Sequence, residues 1–371
     1  MRFLALLLTL VLCASLAYAA PTEGTVYEYR VSYTFVNETG QEVEVPLDSD
    51  VVRLILAPDI DGWQKLLGYK VIVNGVDKTS DFESTNDDEG NALLISRKRL
   101  ELGPSANATI ELVQHVLVYP PWLRQQRKLP SEVSTGNVPG ELTYTGGFWA
   151  SEKLDDVASS LWGLAGGDPR RYVLEVIKWV ALNIKYEFSG EGGVASPDVV
   201  VSKKRGACGE RAVIVTALLR RRGIGSYLLL SYYYVDKGEP LVLREDSVEL
   251  RYVNAFPHIF SMCVAGHTEF PVDTALPLTK PEDPLSAVNR AMVNRSDRVV
   301  VVAKFVGSGP ESNLNNLLAV IPPSRGVRVK LVVSLKVVRK PQVLSPLLLP
   351  LALLLLALTA YTLASKNLGA H

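Results

Sequence analysis

Helical periodicity is confined to one stretch of this sequence, from Ser151 to Gly223, and strand-like segments fill the chain on both sides of it. Between Thr25 and Val118 the segments are short and separated by clusters of Asn, Gly, Asp and Pro. That spacing predicts an all-β, sandwich-like domain over residues 20–125. The first segment sets Tyr27, Tyr29, Val31 and Tyr33 against Val26, Glu28, Arg30 and Ser32, as a strand with one buried and one wet face does. Residues 126–149 carry Pro, Gly and polar side chains without periodicity and read as a linker. From residue 150 to 340 helices come first and strands follow, which predicts an α+β domain with an antiparallel sheet.

Three helices are legible. Ser151 to Ala165 makes one. Asp168-Pro169 opens a second with a cap and a first-turn proline, and Val173, Ile177, Val180, Ala181 and Ile184 give it a buried face. A third begins near Cys208 and stops at Gly223, with Arg220, Arg221 and Arg222 in the last turn, where cations suit the helix dipole.

Both ends of the chain are apolar. Residues 1–19 hold one basic residue, an apolar run and small residues up to Ala17-Tyr18-Ala19, the layout of a secretory signal peptide cleaved after Ala19. Residues 343–364 carry no charge and are dominated by leucine. As a helix they would extend roughly 33 Å, enough for a bilayer. The expectation is a single-pass protein of the cell membrane with its folded part outside and residues 365–371 as a short inner tail. Lys336, Arg339 and Lys340 before the span run against the positive-inside tendency, which a signal peptide overrides by setting the orientation first.

Composition narrows the function classes. With 39 basic and 39 acidic residues the net charge is zero, and no basic surplus points to nucleic acid. Once the signal peptide is removed only Cys208 and Cys263 remain, so this is no disulfide scaffold. The four histidines are dispersed, with neither HExxH nor paired CxxC spacing, and no metal or other cofactor is expected.

Cys208 is the candidate nucleophile. At the first turn of a helix a thiolate is favoured by unpaired backbone amides and the dipole, and the same amides can serve a developing oxyanion. Gly206 and Gly209 on either side leave room for a close backbone approach. Taken alone, Cys208 reads equally well as a small buried residue, since it shares a helix face with Ala212, Val215, Thr216 and Leu219. A thiol nucleophile needs a base, and the base needs an orienting group. His258 and Asp273 fit those roles, because a symmetric hairpin turning about Ala265-Gly266 sets them directly opposite on one sheet face. Pro257 and Pro271 can shift that register. Cys263, an odd number of residues from His258, points to the other face and reads as structural, with a Cys208–Cys263 disulfide as the competing option.

The order of these motifs resembles the transglutaminase-like superfamily core, which shares the papain-like arrangement. A helix ends in Trp179-Val-Ala-Leu-Asn-Ile-Lys-Tyr186, Gly-Ala-Cys208 opens the next, and His258-Ile-Phe and Phe-Pro-Val-Asp273-Thr follow on strands, over about residues 150–280. The resemblance implies Cys208 as nucleophile, His258 as general base and acid, and Asp273 as orienter. Gly209, Glu210 and Phe260 depart from the commoner residues around the cysteine and histidine. Trp179 and Tyr186 read first as helix-face or core aromatics, with an approach to the site that assists the oxyanion as the alternative. The implied activity is acyl chemistry on a peptide or protein amide through a thioester, with hydrolysis favoured over cross-linking. A non-catalytic cell-surface binding module on the same fold is the alternative.

Overall fold

The alternation in the first strand is realised in β1 (Thr25–Asn37), where Tyr27, Tyr29, Val31, Tyr33 and Phe35 are buried and the residues between them partly exposed. The computed structural model describes residues 24–339 apart from 49–50, 122–128, 136–137, 189–192, 267, 276–283, 286–287, 289–292 and 294–295. The expected signal peptide, membrane span and tail lie outside these residues. Among the described residues no helix is long and apolar enough to cross a membrane.

After β1 come β2 (Val43–Pro46), β3 (Leu54–Ile55), β4 (Gln64–Val73), β5 (Val76–Asp77), β6 (Glu83–Asn86), β7 (Ala92–Ile95), β8 (Arg99–Leu102) and β9 (Asn107–Val118). β1, β9, β4 and β5 are successive neighbours in one sheet, while β3, β7 and β6 form a smaller one. Gln114 joins the two from the middle of β9. Its side chain is wholly buried, accepting from the Ala57 amide at 2.8 Å and donating to the Ile55 carbonyl at 3.0 Å. A buried amide satisfied at both ends fixes the layers without an unpaired polar group.

The helices then follow: α1 (Glu152–Leu164) and α2 (Pro169–Asn183), the latter capped by Asp168, whose carboxylate accepts from the Arg171 amide at 2.6 Å. Next are β10 (Lys185–Tyr186), α3 (Pro197–Lys203), β11 (Arg205–Gly206) and α4 (Cys208–Arg220). The chain continues through β12 (Gly225–Tyr234), β13 (Leu241–Glu245), β14 (Val248–Val253), β15 (Ala255–Ala265), β16 (Thr268–Val272), β17 (Val299–Phe305), α5 (Leu314–Leu318) and β18 (Val327–Arg339). β16, β15, β12 and β17 make an antiparallel sheet in that order, and α4 lies against β15 and β12. Gly209 and every residue from Arg211 to Arg220 are buried, so α4 is enclosed on all sides.

The later strands do not all stay with that sheet. β13, β14 and β18, expected to trail the second domain, complete a seven-stranded sheet in the order β13, β14, β18, β1, β9, β4, β5. The reason lies in β18, where Val327, Val329, Leu331, Val333 and Leu335 alternate with more exposed residues. That half-apolar ribbon matches β1 beside it. The two sheets are also stitched together. Gln64 exchanges hydrogen bonds with the amide and carbonyl of Val301, both at 2.8 Å, and Glu89 accepts from the amides of Val306 and Gly307 at 2.6 and 2.7 Å. Residues Thr25–Val338 accordingly make one compact body, to which the described part of the stretch read as a linker belongs.

Trp149, from that stretch, is fully buried beneath Phe148 and Phe305, and the Arg220 guanidinium lies 4.4 Å from its ring centre. Arg220 in turn donates to the carbonyls of Tyr144, Ser226 and Val306. Burial lowers its pKa to about 9, and the three carbonyls answer the donors that burial would strand. Trp149→Ala is expected to cost about 3–5 kcal/mol, as removing a buried aromatic usually does. Urea midpoints of the wild-type and variant proteins measure it.

Candidate active site

The start of α4 is held by its own sequence. The Glu210 carboxylate folds back to accept from the Ala207 amide at 2.8 Å, and its other oxygen accepts from the Ala195 amide at 3.3 Å. This is the carboxylate limb of a capping box. The flanking glycines serve packing and not, as expected, only the approach of another chain. A Cβ on Gly206 would overlap the Glu210 side chain, and one on Gly209 would come within 2.9 Å of Val194 and 3.4 Å of Ile259. The parallel pair β10–β11 sets Tyr186 beside Gly206, two residues before Cys208. Cys208 itself is half-buried and free.

His258 comes from β15 and Asp273 from the residue after β16. The pairing runs Ala265 to Thr268 and Ser261 to Val272, so the hairpin is centred one position later than the symmetric reading. Extended outward, that register sets Asp273 opposite Phe260 and leaves His258 one diagonal step away. Diagonal residues share a face and long side chains bridge them, and here His258 Nε2 meets Asp273 Oδ2 at 3.0 Å. Both side chains are almost fully buried. Asp273 Oδ1 also accepts from the Ala275 amide at 3.1 Å, and the Ser231 hydroxyl donates to the His258 carbonyl at 2.9 Å.

Electrostatics couple the three residues. Burial is the largest influence on His258 and opposes its charged form. The charge and hydrogen bond of Asp273, with smaller contributions from the Cys208 thiol, outweigh it and raise the pKa above the ordinary imidazole value. Burial also opposes ionisation of Asp273, but His258, the Ala275 amide and Arg211 hold its carboxyl below the usual range. With Nε2 engaged by Asp273, Nδ1 is the nitrogen left for the thiol. The arrangement suits an imidazolium standing between a carboxylate and a sulfur.

Cys263 stays apart. Its strand face carries Ser261, whose hydroxyl meets Thr216 Oγ1 of α4 at 2.7 Å, and burial pushes its thiol up to about 12. Neither cysteine is in a disulfide. Of the two aromatic candidates, Tyr186 is tied to the site: burial first, then the charges of Cys208 and Asp273, raise its phenol. Two features went unread in the sequence. Phe260 stacks on the His258 ring at 5.9 Å between centres and is itself backed by Trp63 at 5.6 Å, so the first β module supports the histidine. Arg211, one turn after Cys208, is buried and acts on the Asp273 charge; its signal was a cation directly before the uncharged run from Ala212 to Leu219.

Comparison with known proteins bears on the fold that carries these residues. Residues 164–260 match the model of the Transglutaminase-like superfamily, a span that includes Cys208 and His258. No curated protein matches the chain. Among solved structures, a candidate cysteine protease from Cytophaga hutchinsonii aligns with a TM-score of 0.50 at 12% identity, over 86% of this chain and 93% of that one. A candidate protease from Parabacteroides distasonis aligns with a TM-score of 0.25 at 13% identity, over 68% of this chain and 65% of that one. The first shows a shared fold; the second is too distant to carry an argument.

The buried pair fixes a pH dependence. The raised His258 pKa contributes stability that is complete below about pH 6.5 and is lost as pH rises through the folded value. The lowered Asp273 pKa contributes stability present above about pH 4 and lost as pH falls through the folded value. Asp273→Ala is therefore expected to destabilise most between about pH 4 and 6.5, on the order of 3 kcal/mol, and less on either side. Chemical denaturation of both proteins across pH tests the bell shape; a constant difference would refute the ion pair.

Proposed function

With residues 164–260 carrying a transglutaminase-like core, we propose that this chain is a thiol enzyme acting on peptide or protein amides, with Cys208 as nucleophile, His258 as acid and base, and Asp273 as orienter. The observation that carries the reading is the buried His258–Asp273 contact, joined by the Cys208 thiol at a helix start. The Cys208 thiolate attacks the amide carbonyl carbon, and the oxygen takes up the negative charge near the first-turn amides of α4. As the tetrahedral adduct collapses, His258 gives its proton to the departing amine and a thioester remains. Water then transfers a proton to His258 as it attacks the thioester, and the thiolate leaves. The amide has become an acid and an amine, with the site restored.

Hydrolysis is favoured over transfer to a second amine because it needs no second acceptor site. The fold shared with a chain described as a cysteine protease points the same way. Phe188 and Phe256, both exposed and 6.4 Å apart, offer an apolar lip two residues from Tyr186 and His258, suited to an extended peptide with a large side chain. We place this enzyme outside the cell membrane, led there by residues 1–19 and held by residues 343–364.

Iodoacetamide should label Cys208 faster than a free peptide thiol at neutral pH, and His258→Ala should slow labelling at least tenfold. Mass spectrometry of a surface-protein extract incubated with wild type or Cys208→Ala should show cut amide bonds with the wild type alone. Identical extracts would overturn the amide chemistry, and new amide cross-links would transfer the assignment from hydrolysis to transamidation.

A further inference from the structure

Among the described residues, Arg211 is a buried guanidinium without an ion pair. It is 3% exposed, lying in the enclosed helix α4 one turn after Cys208. Its Nε is buried without a hydrogen-bond partner, and among the described residues its guanidinium makes no ion pair within 4.0 Å. Arg220, on the same helix, shows what a structural buried arginine looks like, with its donors spent on three carbonyls and its plane on Trp149. A guanidinium presents five donors in a planar fork, and removing it from water without partners is strongly unfavourable. The groups that feel the Arg211 charge are Asp273 and Tyr186, which border Cys208 in the same charge network. The hydroxyl of Thr274, next in the chain to Asp273, is likewise buried without a partner.

We propose that Arg211 is the recognition residue for a carboxylate on the substrate, binding it beside the amide that Cys208 attacks. This deepens the thiol-enzyme reading and rests on it. A planar carboxylate fits the fork bidentately and brings the close counter-charge that no described residue supplies within 4.0 Å. Asp273 does not take that role, because the ion pair its carboxylate makes within 4.0 Å is with His258, and Arg211 acts on it only at longer range. Two sources share the chemistry: an acidic side chain next to the scissile bond, or the free C-terminus of a peptide.

Two alkylating reagents of the same size test it. Iodoacetate carries the carboxylate that iodoacetamide lacks, and in each the Cys208 thiolate bonds to the methylene carbon as iodide departs to solvent. The His258 imidazolium draws the anion as well, so the informative quantity is the ratio of the two rate constants in wild type and variant. Arg211→Met should lower the iodoacetate-to-iodoacetamide ratio roughly tenfold or more, and Arg211→Lys should retain part of it, with thermal melts confirming that each is folded. A ratio unmoved in Arg211→Met, whatever happens to both rates together, overturns the proposal and makes Arg211 a positioning or water-satisfied residue. Wild-type protein alone gives a second readout. Acetyl-glycylglycine, acetyl-glycylglycine amide and acetyl-glutamate α-amide are added during iodoacetamide labelling. Protection by the first alone assigns a C-terminal carboxylate and by the third alone an acidic side chain; equal protection by the neutral amide overturns carboxylate recognition. If Cys208 reacts with neither reagent faster than a free thiol, the thiol-enzyme reading itself fails, a result separate from a flat ratio.

Discussion

Helix α4 is closed in by protein along nearly its whole length, and that enclosure governs the site. A helix with no wet face cannot slide or rotate without opening cavities, so its first residue is fixed in space. Gly209 lets it approach Val194 and Ile259, Glu210 ties its start to Ala207 and Ala195, and Arg220 locks its end to three carbonyls. Cys208 therefore sits where the helix dipole and the His258 ring both act on it.

The second support is the contact between the two sheets. The β module reads in sequence as separate, yet Gln64, Glu89 and Trp63 all reach across it. Trp63 matters most to the chemistry, since it backs Phe260, which lies against His258. The histidine is thus clamped by stacking on one side and by Asp273 on another, leaving the ring little freedom to leave its orientation. Return of β13, β14 and β18 to the first sheet fastens the same joint from the chain's far end.

Charge balance in the site is local and tight. Burial disfavours every ion present, so each charged form survives only by the neighbour that answers it. His258 and Asp273 answer each other, and Glu210 is met by two backbone amides. Arg211 has no such ion pair among the described residues, which is why it directs attention to the substrate.

The sequence by itself determined the local features. Alternation named β1, the cap at Asp168 opened α2, and a Gly-Ala-Cys run before an apolar stretch marked the start of α4. Parity alone put His258 and Asp273 on one face, and this survived a turn placed one residue late, because that moves one strand past the other by two residues, an even step that keeps side chains on the same side. Tertiary structure decided the rest. Which sheet receives β18, where Trp63 comes to lie, and that Arg211 ends buried beside Asp273 depend on contacts between residues distant in the chain. Periodicity reports which face of an element is apolar, and the partner that covers it is chosen only by packing the whole chain.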